Sequence, residues 1–303
     1  MASAFNVSGL TDYVKNHSDE LFVKGTAGAR SLEYVEIMPN VKYKDALNYL
    51  DSEIVLADGS VCGFNPQGSD VFTERFIETK AVKVEKEWCA KDLEKKAQNY
   101  QLMWEAGRET LPFEEKIAES NMNRVQDAVE RLVWRGDATV GIDGWLAQAT
   151  GETLVTDVTF ASGSTTIAKI DAMVAAIPAK ALEEGVRIFL SPTDFRNYVA
   201  EQNASCCANR PIVDANVDSL KYIGDSRIEL VPVPGLEPAN SAETSYMVAA
   251  TEDALTYGTD IEGSENVYKL WFNEEDEKFR FRVLFRAGTA IKYPEKVVLG
   301  TQA

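Results

Sequence analysis

The 303-residue chain has few side chains in the arrangements that catalysis or metal binding requires. Its single histidine, His17, lies in the polar stretch KNHSDE, where a solvated side chain is expected rather than a general base. With one histidine, Ser-His-Asp and Cys-His nucleophile systems are not expected. The spacing of the four cysteines is typical of neither a zinc site nor a disulfide framework: Cys62, Cys89, Cys206 and Cys207. We therefore predict no catalytic residue, no cofactor site and no metal site.

Two further patterns could bind phosphate. The stretch ASGSTTIAK, residues 161–169, lacks the GxxxxGK[ST] spacing of a phosphate loop. We interpret it as a turn in which a serine or threonine caps a helix that begins near Ile167. Arg280, Arg282 and Arg286 alternate with apolar residues near the C-terminus. We predict that these arginines pair with acidic residues across a strand or between subunits, and phosphate binding is the alternative.

The stretch RGDATVGIDGWLAQ, residues 135–148, contains the Arg-Gly-Asp tripeptide of cell-adhesion ligands. Arg135 falls in the last turn of an amphipathic run, where the helix dipole favours a cation. Gly136 is the residue expected to end that helix in a left-handed conformation. Gly141 and Gly144 then permit a tight backbone path. We interpret the stretch as a structural elbow and not as an adhesion loop.

Composition restricts the class of protein. A hydrophobic content of 45% is ordinary for a folded domain. The net charge of −17 gives little long-range attraction for nucleic acid or for an anionic membrane. The sequence has no apolar run of about 18 residues, so no membrane contact is expected. The N-terminus lacks the features of a signal peptide, which predicts synthesis in the cytoplasm.

Periodicity predicts the elements that position these residues. Residues 53–88 alternate as a long antiparallel hairpin does, and the turn residues near 63–68 form its tip. Helices are predicted at 90–107 and, most strongly, at 112–135, where apolar residues recur at helical spacing. Residues 1–52 lack one strong period and are interpreted as an extended arm with one short helix near Leu10.

The second half of the chain has a mixed pattern. Residues 145–248 alternate helical and strand-like stretches, with a helix break near Pro178 and a helix N-cap at Thr193. The strand RIELVPVPG is weakened by Pro232 and Pro234, as an edge strand would be. The C-terminal stretch is β-rich, with one apolar face and one mostly arginine face. The fold class is therefore α+β.

The order of these elements resembles the major capsid proteins of tailed phages, which have the Hong Kong 97 fold. The elbow carries the Gly-rich character of the segment that follows the spine helix in that family, although Asp143 stands where proline is common and Trp145 is bulky. The ending RAGTAIKYPEKVV is also similar to that family. The resemblance covers nearly the whole chain, and the order of elements carries it more than any motif does.

The resemblance implies a division of the chain and an assembly role. It implies pentamers and hexamers that form an icosahedral shell around double-stranded DNA without specific binding, in a virion made in the cytoplasm of a bacterial host. The expected partners are further copies of the chain, a portal, a separate scaffolding protein and decoration proteins. The implied parts are an N-terminal arm (1–52), an E-loop (53–88), a P domain (89–144 and 249–303) that includes the spine helix 112–135, and an A domain (145–248). The implied contacts between subunits are at the E-loop tip: Phe64, Asn65, Pro66 and Gln67.

Some members of that family cross-link subunits through an E-loop lysine and a P-domain asparagine. The predicted tip CGFNPQGS has no lysine, so no such isopeptide bond is expected. Two alternatives remain open from the sequence. One is an encapsulin, a cellular compartment of the same fold that encloses enzyme cargo. The other is an α/β enzyme of unknown chemistry.

Overall fold

A computed structural model describes residues 28–52, 55, 70–89, 92, 113–204, 219–240, 243–260 and 267–302. The predicted helix near Leu10, the hairpin tip and, apart from Asp92, the predicted helix at 90–107 lie outside the described residues. The helices whose bounds lie within these residues are α1 (Phe113–Arg135), α2 (Trp145–Gly151), α3 (Thr166–Ala176), α4 (Ala179–Glu184) and α5 (Pro192–Ala204). Short 3-10 turns lie at Arg30–Tyr34, Pro234–Leu236 and Pro294–Lys296.

The strands of the described part of the chain form two larger sheets and a separate hairpin. Their bounds are β1 (Glu36–Met38), β2 (Lys44–Ser52), β3 (Asp70–Glu78), β4 (Lys80–Cys89), β5 (Thr156–Phe160), β6 (Val186–Leu190), β7 (Leu220–Lys221), β8 (Ile228–Pro232), β9 (Tyr246–Ala250), β10 (Leu255–Thr259), β11 (Val267–Asn273), β12 (Lys278–Ile291) and β13 (Val298–Gln302). The combination of helices and sheets confirms the α+β fold class.

Helix α1 matches the predicted spine helix, beginning one residue later, at Phe113. Its buried face carries the apolar residues that recur at spacings of three and four, including Met122, Val125 and Val129. The helix ends at Gly136, whose φ of 73° is the left-handed conformation that glycine adopts readily. The Gly136 amide donates to the Leu132 carbonyl at 2.8 Å, which closes the last turn.

Strand β12 is the centre of the sheet that packs against α1. It pairs antiparallel with β4 on one side and with β11 and then β10 on the other. Phe279, Phe281, Val283 and Phe285 are all at most 1% exposed, and they contribute to the same core as the buried face of α1. This confirms the predicted apolar face of the C-terminal strands.

The second sheet has the strand order β5-β13-β9-β6-β8-β7, and its own core lies against α3 and α5. The predicted break near Pro178 is confirmed, because α3 ends at Ala176 and α4 begins at Ala179. Thr165 caps α3 by accepting from the Ala168 amide, which confirms the helix cap expected in the turn 161–169.

Two local predictions in this part are wrong. Helix α5 begins at Pro192, and Ser191 instead of Thr193 caps it, since the Asp194 amide donates to the Ser191 hydroxyl at 3.0 Å. Proline occupies the first helical position, so the cap lies at Ser191, two residues before the predicted Thr193. Strand β8 is also not at the edge, because the two-residue strand β7 pairs with it beside Leu230.

The hairpin differs from its prediction in both strands. Its first strand is β2, which begins at Lys44 within the stretch interpreted as arm. The predicted return strand is divided at Thr79: β3 pairs with β2, whereas β4 pairs with β12 in the other sheet. Thr79 anchors this crossing point, because its amide donates to the Tyr43 carbonyl at 2.9 Å and its hydroxyl to the Val41 carbonyl at 2.9 Å.

Candidate functional site

The elbow after α1 is held by the close approach of its glycines. A Cβ atom on Gly136 would lie 2.5 Å from the Gly144 nitrogen, and one on Gly144 would lie 2.4 Å from the Gly136 nitrogen. Gly141 has a φ of 75°, with nothing within 4 Å of its Cβ position. The structure therefore brings Gly136 and Gly144 together and leaves Gly141 at the exposed turn between them.

Asp137 organises that turn. Its carbonyl accepts from the Gly141 amide at 2.9 Å, and its carboxylate accepts from the Thr139 amide at 2.7 Å. The hydrogen bond from Thr139 holds the pKa of Asp137 below its ordinary value. The side chain of Arg135, in contrast, points to Leu236 and donates to its carbonyl at 3.0 Å. The side chains of Arg135 and Asp137 in the Arg-Gly-Asp tripeptide therefore both make hydrogen bonds within the subunit.

Tryptophan side chains fix the elbow in the core. Trp134 and Trp145 meet edge to face with ring centroids 5.0 Å apart, and Trp134 also lies 5.1 Å from the Phe189 ring of β6. Both tryptophans are at most 1% exposed. The Trp145 indole donates to the Thr256 carbonyl at 3.3 Å. The two tryptophans therefore join the elbow to both sheets: Trp145 bonds to β10 of the first sheet and Trp134 packs on β6 of the second.

The arginines of β12 have partners within the chain. Arg282 pairs with Glu85 of β4 at 2.7 Å, and Arg280 bonds to Asp276 four residues earlier. Arg286 is 8% exposed, and its guanidinium lies 4.3 Å from the centre of the Tyr43 ring. For Arg282, the expected pairing across a strand is present within one subunit.

The base of the hairpin is fastened to the body by a small apolar cluster. Ile77 of β3 is fully buried with Val41, Leu47 and Ala290. Gly288 of β12 makes this contact possible, since a Cβ atom there would lie 2.2 Å from the Glu78 carbonyl oxygen. The backbone of the hairpin at Glu78 therefore lies directly against the backbone of β12 at Gly288.

An ion pair adds a second attachment for the hairpin. Arg75 of β3 bonds to the Glu152 carboxylate at 2.9 Å, and both side chains are about a quarter exposed. Glu152 follows α2 directly, so the pair links the hairpin to the helix that leaves the elbow. The sequence pattern did not predict this contact, because the two residues are 77 positions apart in the chain.

The sequence pattern also did not predict the buried carboxyl group of Glu130. Glu130 of α1 is 3% exposed and accepts from the Ser31 amide at 3.1 Å and from the Ser31 hydroxyl. The Trp134 indole donates to the same hydroxyl at 2.6 Å. Burial raises the pKa of Glu130 above its ordinary value, although the hydrogen bonds from Ser31 oppose this. A glutamate adjacent to Val129 on the apolar face of the helix was the available signal.

The tip residues Phe64 to Gln67 lie outside the described residues. Within the described ranges, no group of three or more histidine, cysteine, aspartate or glutamate side chains could hold a metal ion. No helix in those ranges is long and apolar enough to cross a membrane.

The long helix on a mostly antiparallel sheet, the anchored hairpin and the second sheet with its helices define the fold of this protein. This is the Hong Kong 97-type fold of the major capsid proteins of tailed phages, as the order of elements predicted.

Solved structures with this fold match nearly the whole chain. The capsid of the native GTA particle, computed with C5 symmetry, matches with a TM-score of 0.59 and 9% identity over 91% of this chain and 90% of its own. Gordonia phage Cozz matches with a TM-score of 0.60 and 9% identity over 91% and 86%. The virus-like particle from Pyrococcus furiosus matches with a TM-score of 0.52 and 11% identity over 92% and 96%. No protein-family model and no curated protein matches the sequence.

Proposed function

We propose that the chain is the major capsid protein of a tailed phage. Its copies assemble into pentamers and hexamers, which close an icosahedral shell around double-stranded DNA. The observation that carries the proposal is that about nine-tenths of the chain aligns with the capsid of the native GTA particle, a shell computed with C5 symmetry. The role is structural, and the proposal includes no enzymatic activity, cofactor or metal.

The hairpin gives this proposal a physical basis. Strands β2 and β3 pair only with each other among the described residues, and the hairpin is held to the body at its base. Strand edges and side chains beyond that base are available to another subunit. Identical copies that repeat one such contact form closed symmetric assemblies. The tip residues Phe64 to Gln67 are the proposed contact with the neighbour.

The division of the chain into parts is proposed on the same basis. The arm is 1–52, the E-loop 53–88, the P domain 89–144 and 249–303, and the A domain 145–248. The elbow glycines stand at the boundary between P and A domains. These E-loop bounds differ from the hairpin at both ends, because β2 begins the hairpin at Lys44 and β4 pairs with β12, so the hairpin strands end at Glu78. Pairing between subunits through Arg280, Arg282 and Arg286 is a weaker proposal, because these side chains already have contacts within the chain.

The proposed partners and location follow from the role. A portal, a separate scaffolding protein and decoration proteins would join copies of the chain in the virion, after synthesis in the bacterial cytoplasm. The net charge of −17 is compatible with enclosing DNA without binding it specifically. Electron microscopy of the chain purified after expression with its neighbouring genes tests the shell. Rings or shells of megadalton mass are expected, whereas a stable monomer at every concentration, with and without those gene products, would contradict the proposal.

A cellular compartment is the second candidate function. The match to the virus-like particle from Pyrococcus furiosus favours keeping it, although its TM-score of 0.52 is lower than those of the GTA and Cozz matches. The content of purified shells distinguishes the phage capsid from the cellular compartment. Nuclease-resistant DNA of uniform length supports the phage capsid, and a single co-purifying enzyme supports the compartment.

A further inference from the structure

The N-terminal segment 28–35 lies against a polar stripe of the spine helix α1. Gln126, Glu130 and Trp134 recur every four residues on one face of α1. The Gln126 amide donates to the Gly28 carbonyl, and Glu130 and Trp134 both bond to Ser31. Ser31 is fully buried by this contact. One helix face therefore receives the segment through hydrogen bonds inside an otherwise apolar core.

Glu130 also contacts the second sheet. The backbone of Gly235, in the turn after β8, lies beside the same carboxyl group and opposes the rise of its pKa. Gly235 packs directly on the helix, since a Cβ atom there would lie 2.4 Å from the Trp134 ring and 2.5 Å from the Glu130 carbonyl oxygen. Three parts of the chain thus meet at one buried carboxyl group: the N-terminal segment, the spine helix and the turn after β8.

The groups that face this carboxyl are neutral. The leading influences on its pKa are burial, Ser31, Gly235 and Trp134, and none is a charged side chain. Charged groups on the same three elements have other contacts: Arg131 bonds to Glu243, and Glu237 bonds to Thr193. Arg30 and Glu33 lie on the segment itself. Among the described residues, the groups beside Glu130 are thus neutral donors, and burial disfavours its ionised form.

We propose that Glu130 is a proton-dependent latch for the segment 28–35. The protonated carboxyl keeps the segment seated on α1, and ionisation favours its release. Release exposes the carboxylate to water, where its charge is stable, so proton loss and release are linked. The latch is a property of one folded subunit, and it holds whether or not the chain forms shells.

Hydrogen exchange of the unassembled full chain between pH 5 and 8 tests the latch. After correction for intrinsic exchange, the opening of segment 28–35 should increase with pH, by at most about ten-fold per pH unit, as one released proton requires. Strand β6, which is central and buried, is the internal reference. Opening of the segment in wild type that is independent of pH, or that merely follows β6, overturns the proposal.

Two variants separate the latch from a general weakening. E130Q has no ionisable group, so its segment opening should lose the pH dependence, whereas D127N, on the exposed face of α1, should keep it. S31A removes a hydroxyl donor that lowers the pKa of Glu130, so the transition should move to higher pH. If E130Q does not fold, the S31A shift decides the matter. An unchanged pH dependence in E130Q, or an unmoved transition in S31A, overturns the latch.

Discussion

Gly136 and Gly144 approach each other so closely that a Cβ atom on either would lie within 2.5 Å of the backbone nitrogen of the other. The hydrogen bonds between Asp137 and Ile142 close the loop between them, with the Asp137 amide 2.9 Å from the Ile142 carbonyl. The spine helix therefore ends in a fixed direction, and Trp145 enters the core at once. The geometry of this elbow sets the angle between the helix and the next part of the chain.

Substitution of the two contacting glycines should be severe. Gly136→Val combines a positive φ with a steric clash, and we expect a loss of at least about 3 kcal/mol in the free energy of unfolding. Gly144→Ala should destabilise through the clash. Gly141→Ala, which has open space, should cost only about 1–2 kcal/mol for its left-handed conformation. Denaturant titration gives the values, and Gly151→Ala, with nothing within 4 Å and no positive φ, is the control. Equal losses at Gly136 and Gly141 would refute the role of the clash.

Local patterns in the sequence were sufficient to predict several elements of this fold. The periodicity of α1 and its terminating Gly136 placed the spine helix to within one residue. The alternation around Phe281 identified the buried face of β12. Such features depend on residues that are near one another in the chain, where the helical period of 3.6 and the strand period of 2 can be read directly.

Contacts between distant residues could not be predicted in the same way. The alternation of residues 71–86 continues through Thr79, so the change of partner from β2 to β12 leaves no mark on it. Glu130 depends on Ser31, which is 99 positions away, for its hydrogen bonds. These features depend on register and packing between segments, and a pattern within one segment does not encode them.

The two faces of β12 should respond very differently to truncation. Phe281 is 1% exposed and stacks near Trp88, with ring centroids 6.2 Å apart. Phe281→Ala should lower the free energy of unfolding by about 3–5 kcal/mol. Arg282→Ala, the next residue, should change it little, because the pair with Glu85 is exposed to solvent. Chemical denaturation of both variants tests this, and a larger loss at Arg282 would indicate a buried role for the charge.

The ion pair between Arg75 and Glu152 should reduce local opening of the hairpin while contributing little to the free energy of unfolding of the whole subunit. With both side chains about a quarter exposed, a double-mutant cycle should give a coupling of roughly 1 kcal/mol or less. Arg75→Ala should also increase hydrogen exchange in β3 while leaving β6 unchanged. The pair of Lys44 and Glu78, which is about half exposed, provides the matched control on the same hairpin. The reversed pair, R75E with E152R, should keep the protection of β3 near that of wild type. Unchanged exchange of β3 in Arg75→Ala would contradict the anchoring role.

The stability of the whole subunit should also depend on pH through Glu130. Its folded pKa is raised from the ordinary 4.5, because burial disfavours the charge. Below 4.5 the carboxyl is protonated in both the folded and the unfolded chain, and stability is not reduced. As pH rises from 4.5 through the folded pKa, the unfolded chain releases its proton first, so this group lowers stability progressively and the loss then levels off. Denaturant titrations of wild type and Glu130→Gln across this range should show the decline as a difference between the two proteins. Asp127→Asn should follow wild type, and parallel curves for wild type and Glu130→Gln would show that Glu130 is not the titrating group.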